Sequence, residues 1–282
     1  MSTEKFRKLE SVDEYKTIQK NMRHNITTLF SNIFFLPVDI EHYITSGRAL
    51  LRELDKGFIL LLEETKYYKL YIYADVEQQI VIEPFDKKIV FRYMYREEKG
   101  RAVLPHIEEQ FRKNGFLKEG TLVYISGNAE ELFEKCKKIE PCIKSLENKG
   151  YSYKELSSEY YEMAEEMLVS TNIIKDYHLE ASKPNITKKC YAVVNGLDEI
   201  CGVYLGYIEG EVANGAIMVK EEYKKLGLGP MLSYYRYKWM KENGIKKNEG
   251  WIYLHNKDSL KYHQSLGFAL MDRYMDDWIL EK

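Results

Sequence analysis

Val219-Lys-Glu-Glu-Tyr-Lys-Lys-Leu-Gly-Leu-Gly229 stands between an apolar run of strand character and a stretch of helical period. Gly227 and Gly229, one residue apart, let the backbone turn tightly and come close to a ligand. The helix that follows offers unpaired N–H groups and the positive end of its dipole. That combination suits a phosphate or pyrophosphate. The stretch is no Walker loop, because no Gly-Lys-Ser/Thr follows, and it lacks the third glycine of a dinucleotide fingerprint. A Gly-x-Gly by itself is also what an ordinary turn before a helix looks like, so the surroundings decide.

Upstream, Cys190–Val194, Ile200–Ile208 and Val212–Val219 read as strands. The turn residues Asn195-Gly-Leu-Asp198 and Glu209-Gly210 link them, which predicts an antiparallel meander. Before it, Tyr160, Met163, Ala164, Met167 and Leu168 follow the helical period behind Ser157-Ser158. Downstream, the spacing predicts a helix over Pro230–Asn243, with Leu232, Tyr235 and Trp239 on one face and proline in its first turn. A strand over Trp251–His255, a helix over Lys257–Leu266 and an extended region with a turn or bulge over Ala269–Leu280 complete this half.

The first half is less regular. A helical stripe covers Val12–Met22, and strands are expected at Phe58–Leu62, Tyr67–Ala74, Lys88–Tyr95 and Thr121–Ser126. A helix over Ala102–Lys113 stops at Asn114-Gly115, and Asn128 is placed to cap another running to about Lys138. Periodicity is lost between Pro141 and Tyr153, so the junction is set near Gly150, giving domains 1–150 and 151–282. An internal echo links them. Lys113-Asn-Gly-Phe-Leu-Lys-Glu-Gly-Thr-Leu-Val-Tyr124 aligns, with one gap, with Glu242-Asn-Gly-Ile-Lys-Lys-Asn-Glu-Gly-Trp-Ile-Tyr253. Asn128 and Asn256 follow in turn, and Gly100-Arg-Ala102 sits where Gly227-Leu-Gly229 would. The same order of elements is therefore expected twice.

A second motif lies thirty-odd residues beyond Val219: Asn256-Lys-Asp-Ser-Leu-Lys-Tyr-His-Gln-Ser-Leu-Gly-Phe268. Together the two segments resemble the GNAT superfamily of N-acetyltransferases. The loop pattern of that family is Val-x-Pro-x-x-[Arg/Gln]-x-x-Gly-x-[Gly/Ala], met here by Val219, Gly227 and Gly229, with Lys224 in the Arg/Gln place. Its second pattern, Asn-x-x-Ala/Ser closing on Gly-Phe, is met by Asn256, Ser259, Gly267 and Phe268. Glu221 replaces the usual proline, Pro230 removes one N–H, and His263 stands where the family usually has tyrosine.

The resemblance implies an α/β (α+β) chain of tandem GNAT-like acyl-CoA N-acyltransferase folds, with mixed, mainly antiparallel sheets. It implies acetyl-CoA as cosubstrate and an unidentified primary amine as acceptor, attacking directly. The pyrophosphate would sit on Lys224, Lys225, Leu226, Gly227, Leu228, Gly229 and Pro230. The pantetheine would lie along Ile217, Met218 and Val219 as an added strand, held also by Asn256 and Ser259. The chemistry needs a base for the amine proton and an acid for the leaving thiolate. His263 is the candidate acid, as imidazolium or through water, and His255 the candidate base; each is also readable as a histidine with a structural role only. Glu97-Glu-Lys-Gly-Arg-Ala102 lacks the full loop and is acidic, so the first half is expected not to hold CoA. Asp276-Asp277 is expected at the surface. A non-catalytic acyl-CoA-binding or regulatory module is the rival reading, and aminoacyl transfer to peptides ranks behind both.

Composition agrees with a globular protein of two domains: 282 residues, 45% hydrophobic and 30% charged. A formal net charge of −2 gives no general pull toward nucleic acid or an anionic membrane. No stretch reads as a membrane span or an export signal. Cys136, Cys142, Cys190 and Cys201 form no Cys-x-x-Cys pair, and no metal site is expected. Reduced cysteines without an export signal point to the cytoplasm. Assembly as a homodimer is left open.

Overall fold

The computed structural model describes residues 5–33, 35–96, 104–171, 173, 175–178 and 186–281. Its elements begin with β1 (Arg7–Lys8), α1 (Val12–Arg23), β2 (Leu29–Ser31), α2 (Glu41–Thr45), β3 (Ala49–Leu54), β4 (Gly57–Glu63), β5 (Tyr67–Asp75) and β6 (Lys88–Tyr95). Then come α3 (Leu104–Lys113), β7 (Leu117–Asn128), α4 (Ala129–Cys136), α5 (Glu140–Asn148), β8 (Ser152–Leu156) and α6 (Tyr161–Ser170). Last are β9 (Thr187–Val194), β10 (Ile200–Glu209), β11 (Val212–Val219), α7 (Leu228–Glu242), β12 (Lys247–Tyr253), α8 (Lys257–Leu266) and β13 (Ala269–Leu280). Among the described residues no helix is long and apolar enough to cross a membrane.

The chain forms two compact units. The first holds Met1–Val123, Tyr253–His255 and Asp272–Lys282; the second holds Tyr124–Ile252 and Asn256–Met271. Gly150 lies in the turn between α5 and β8, among the residues of the second unit.

In the first unit the strands run in the order β1-β3-β4-β5-β6-β13. All neighbours are antiparallel except β5 and β6, which run parallel from Tyr67↔Lys88 to Leu70↔Phe91. The apolar run Phe58–Leu62 is buried throughout because β4 is covered on both faces. Ile59 and Leu61 join Phe91, Phe111 of α3 and Trp278 of β13; Phe58, Leu60 and Leu62 join Tyr15 and Ile18 of α1. Helix α1 starts where Ser11 Oγ accepts a hydrogen bond from Glu14 N at 3.0 Å.

Beyond Leu70 and Phe91 the β5–β6 ladder stops, and the opening is filled by the chain itself. Strand β2 pairs with the far end of β5, from Leu29↔Asp75 to Ser31↔Tyr73. The buried Asn32 side chain then enters the gap. Its Nδ2 donates to Leu70 O and to Arg92 O, both at 2.9 Å, and its Oδ1 accepts from Ile72 N at 2.7 Å. One amide thus satisfies backbone groups of both separated strands.

Asp276 and Asp277, expected at the surface, are fully buried. Asp276 accepts from Lys118 Nζ at 2.8 Å and Thr121 Oγ1 at 2.6 Å. Asp277 accepts from Tyr253 Oη at 3.1 Å and pairs with Arg92 at 3.3 Å. The buried stretch Met275–Leu280 carries them inward, and these partners offset the cost of desolvating two carboxylates. No turn interrupts this region, and β13 is one continuous strand.

In the second unit the last residues of β7 are followed in order by β12-β11-β10-β9-β8. The expected meander is β9–β10–β11, antiparallel throughout. One face, with Tyr191, Val193 and Tyr204, packs under Leu228, Met231 and Leu232 of α7. The other, with Ala192, Val203, Leu205 and Met218, packs against Ala164 and Leu168 of α6. Asn128 caps α4 as its position suggested, accepting from Glu130 N at 2.9 Å and Glu131 N at 3.2 Å.

The order of elements recurs, but the sequence echo is out of step with it. Each unit has one parallel pair, β5/β6 and β11/β12. Counting from those pairs, α3 and β7 take the places of α8 and β13, whereas the echo matches them with α7 and β12. Residues 76–87, between β5 and β6, contain no helix corresponding to α7. Glu97-Glu-Lys-Gly-Arg-Ala102, read as the lost loop, lies outside the described residues.

Replacing Asn32 by alanine leaves Ile72 N–H and the carbonyls of Leu70 and Arg92 short of a partner. The expected cost is about 2–3 kcal/mol, read as a lower urea midpoint at unchanged slope. A cost below about 0.5 kcal/mol would mean that water takes over these bonds.

Candidate functional site

The site expected from the sequence lies in the second unit, where β11 gives way to α7. Strand β11 pairs with β10 over its whole length, from Glu209↔Val212 to Gly202↔Val219. With β12 its parallel ladder has two rungs, Val212↔Lys247 and Ala213↔Asn248. From Asn214 onward the two strands part. Asn248, buried at the last rung, donates from Nδ2 to Ala213 O at 2.8 Å. Ile217 and Val219 turn their side chains to the α7 core and Met218 to the α6 core. What these three residues can offer a ligand is therefore backbone.

The loop follows from local constraints. Lys220 N donates to Cys201 O at 2.9 Å and ends the sheet. Glu221–Tyr223 make one 3₁₀ turn, Lys224 is extended, and Lys225 adopts φ +66°. Gly227, at φ +93°, is the N-cap of α7, a conformation that disfavours any residue with a Cβ. Gly229 is different. Its backbone is ordinary, and an added Cβ would meet nothing nearer than Val219 Cγ2 at 3.8 Å. Neither backbone nor packing asks for glycine there, although glycine inside a helix costs roughly 0.5–1 kcal/mol against alanine.

No side chain caps α7, and its first turn holds no acidic residue. The first helical bond is Met231 N to Gly227 O at 3.1 Å, and Pro230 has no N–H to offer. The N–H groups of Gly227, Leu228 and Gly229 are thus the donors of this helix end. Leu228 anchors the turn in the core, while Leu226 and Pro230 are exposed. The loop cations are not all open: Lys224 Nζ is paired with Glu221, the residue at the place of the family proline. Both are solvent-exposed, so the pair is weak and exchangeable.

Asn256 caps α8, its Oδ1 accepting from Ser259 N at 3.1 Å. Two turns on, His263 Nδ1 donates to Ser259 O at 2.8 Å. That bond puts the proton on Nδ1 and leaves Nε2 as an acceptor. Burial, and then the nearby charge of Arg236, hold the His263 pKa below the ordinary 6.5, against the pull of the Ser259 carbonyl. The imidazolium expected from the sequence is therefore disfavoured near neutral pH. Burial is the main reason, and a group that sequence reading passed over adds to it. Arg236 on α7 is buried, with its guanidinium over the rings of Tyr237 at 4.2 Å and Tyr204 at 5.1 Å. Helices α7 and α8 are joined beside it by a hydrogen bond of 2.9 Å between Ser233 Oγ and Tyr262 Oη.

The loop and the end of β11 are thus adjacent, and α8 is tied to α7. The hydrogen bonds of Asn256 and Ser259 remain within α8. His255 lies outside this group. It is exposed in the turn after β12, counted with the first unit, its ring stacked on Tyr253 at 5.0 Å. Glu249, the other polar group passed over, is held by Tyr124 and Ser126 on β7. Its signal was the alternation Glu249, Trp251, Tyr253, hidden because the strand was expected over Trp251–His255 and begins at Lys247. The buried thiols are poor nucleophiles: burial pushes Cys136 up to about 11 and Cys190 up to about 12.

Residues 151–268 match the sequence model of the Acetyltransferase (GNAT) family. No curated protein matches the sequence. Among solved structures, a tandem GNAT protein from the clavulanic acid biosynthesis pathway is similar in fold, with 13% identity, 98% of each chain covered and a TM-score of 0.52. The GCN5-related glucosamine N-acetyltransferase region of a fungal multi-domain GH3 β-N-acetylglucosaminidase gives 10% identity and a TM-score of 0.59, covering 99% of this chain and 38% of that one. A GCN5-related N-acetyltransferase from Kribbella flavida gives 12% identity and a TM-score of 0.50, covering 79% and 85%. The second half of the chain, at residues 151–268, is accordingly a GNAT-family domain, and the fold as a whole is that of tandem GNAT proteins.

Proposed function

We propose that the chain transfers an acetyl group from acetyl-CoA to a primary amine by direct attack, and that the second unit does so alone. The observation that carries this is Gly229, a glycine that neither backbone nor neighbours require, at the uncapped start of α7 beside the parted strands β11 and β12. In this reading the N–H groups of Gly227, Leu228 and Gly229 hold the pyrophosphate, helped by Lys224 and Lys225. The open edge of β11 at Ile217–Val219 takes the pantetheine as an added strand, and Asn256 and Ser259 lie at its other side. The corresponding opening of the first unit is already filled by β2 and Asn32, which supports one CoA per chain.

His263 acts here as a neutral imidazole. Its Nε2 takes the proton shed by the attacking nitrogen and returns it to the departing thiolate. A second reading, a binding module without turnover, is favoured by one observation: histidine replaces the family tyrosine, and it is uncharged. Turnover of acetyl-CoA across a panel of amines separates the two.

Gly229→Ala is the test of the loop. The variant is expected to be more stable by about 0.5–1 kcal/mol and yet to bind CoA at least tenfold more weakly by calorimetry. Unchanged affinity would make the loop a mere turn. Gly227→Val is expected to abolish binding and to lower stability as well, because its φ is positive.

The charged pair gives a prediction of opposite signs. Lys224→Ala is expected to weaken CoA binding by about 1 kcal/mol, and Glu221→Gln to strengthen it by about 0.5 kcal/mol, both effects shrinking at high salt. Equal effects at low and high salt would place neither residue near the phosphates.

His263→Ala is expected to lower kcat on the order of 10²-fold with little change in the acetyl-CoA KM. Because the folded protein disfavours the imidazolium, stability falls as pH drops below about 6.5 toward the lowered pKa. The acid limb of the rate profile should follow that same lowered pKa. Arg236→Met should move the His263 titration upward in NMR; a wild-type value above 6.5 would contradict the assignment.

A further inference from the structure

Glu249 is the residue after the last β11–β12 rung, Ala213↔Asn248, and so stands where the strands part. It is half-buried, and its carboxylate accepts from two hydroxyls: Ser126 Oγ to Oε1 at 3.1 Å, and Tyr124 Oη to Oε2. No Lys, Arg or His among the described residues forms an ion pair with it. Two donors satisfy only part of what a carboxylate can accept, and among the described residues its charge has no counter-ion. The ring of Trp251, two residues on, lies 4.9 Å from that of Tyr124. These side chains make a patch with one anion, two hydroxyls and two aromatic rings.

The register fixes which face of the sheet carries the patch. Val212 pairs with Lys247, so alternate residues 212, 214, 216 and 218 share a face with 247, 249 and 251. Ala216 and Met218 belong to the α6 core. Glu249 and Trp251 therefore lie on the α6 face of the sheet, opposite α7 and its anion-binding end. A donor whose phosphates sit at α7 and whose arm follows β11 would reach this point with its acyl group, leaving the α6 face for the acceptor.

We propose that Glu249, held by Tyr124 and Ser126 at the parting of β11 and β12, is the acceptor site: it binds a protonated primary amine and takes the proton that frees the nitrogen to attack. This rests on the acyl-transfer reading above. An alkyl ammonium reaches the enzyme charged at neutral pH and cannot attack in that form. The carboxylate supplies the missing counter-charge, and the rings favour a cation beside them. One proton passes from the ammonium to Glu249. The freed lone pair forms the N–C bond to the acyl carbon, and the C–S bond breaks with its electron pair on sulfur. The second proton, shed as the amide forms, ends on the thiolate, and Glu249 releases the first to water.

The test uses an electrophilic donor, bromoacetyl-CoA, so that no acceptor need be known. In a Cys142→Ser background, which removes the exposed native thiol, Glu249→Cys is compared with Lys238→Cys on the outer face of α7. The thiol at 249 is expected to be alkylated on the order of 10²-fold faster than that at 238, with protection by excess CoA. No acceleration, in a variant that still binds CoA normally by calorimetry, overturns the placement of Glu249 and leaves the acyl-transfer reading intact. Failure of the unmodified protein to bind CoA overturns both. For whichever of spermidine, glucosamine and a lysyl peptide turns over with acetyl-CoA, Glu249→Gln is expected to lower kcat/KM about 10²-fold with the acetyl-CoA KM unchanged. Full turnover by Glu249→Gln would equally overturn the inference.

Discussion

A parallel pair of strands that separates after a few rungs leaves backbone donors and acceptors without ladder partners, and such groups must be satisfied somehow. This constraint occurs in both units and is met in two ways. In the first, the chain supplies the missing partners: β2 lines the free end of β5, and the Asn32 amide bridges to β6. In the second, β11 and β12 part after two rungs, with the Asn248 amide at the vertex. The turn at Gly227 and the bare helix end stand beside that unfilled edge.

Charge placement around α8 follows the same economy. His263 has its Nδ1 proton fixed by a carbonyl within its own helix, so its protonation state is set by what surrounds the ring. The buried Arg236 guanidinium contributes to that environment from α7. A tyrosine at position 263 would carry its own proton, whereas the state of a histidine there follows its burial first and the Arg236 charge after it.

What the sequence could disclose was local. Asn128 and Asn256 announced helix starts because an N-cap needs only its own next turn. Gly227 announced the loop because a left-handed φ is a property of one residue. The meander was legible from short turns between apolar runs. The remainder depends on partners far apart in sequence. Asn32 looks like any loop asparagine until residues 70, 72 and 92 are beside it. Asp276 and Asp277 look like a solvated pair until Lys118, Thr121, Arg92 and Tyr253 surround them. The echo between the halves is one helix out of step, since an Asn-Gly pair closes both α3 and α7 and a strand follows each.

Strand β13 deserves a different kind of reading, as an event in time. Trp278 and Leu280 complete the apolar core of the first unit with Ile59, Phe91 and Phe111. Those residues leave the ribosome long before residue 278 does, and the whole of the second unit is made in between. The earlier strands must therefore wait, with their core unsealed, while a later domain is synthesised. Contacts of such long sequence separation fold slowly. The filling of the β5–β6 opening by β2 and Asn32 needs only the first hundred residues, so the far end of β5 is already paired during that interval, while the β6 edge that β13 later takes stays open to pairing with another chain.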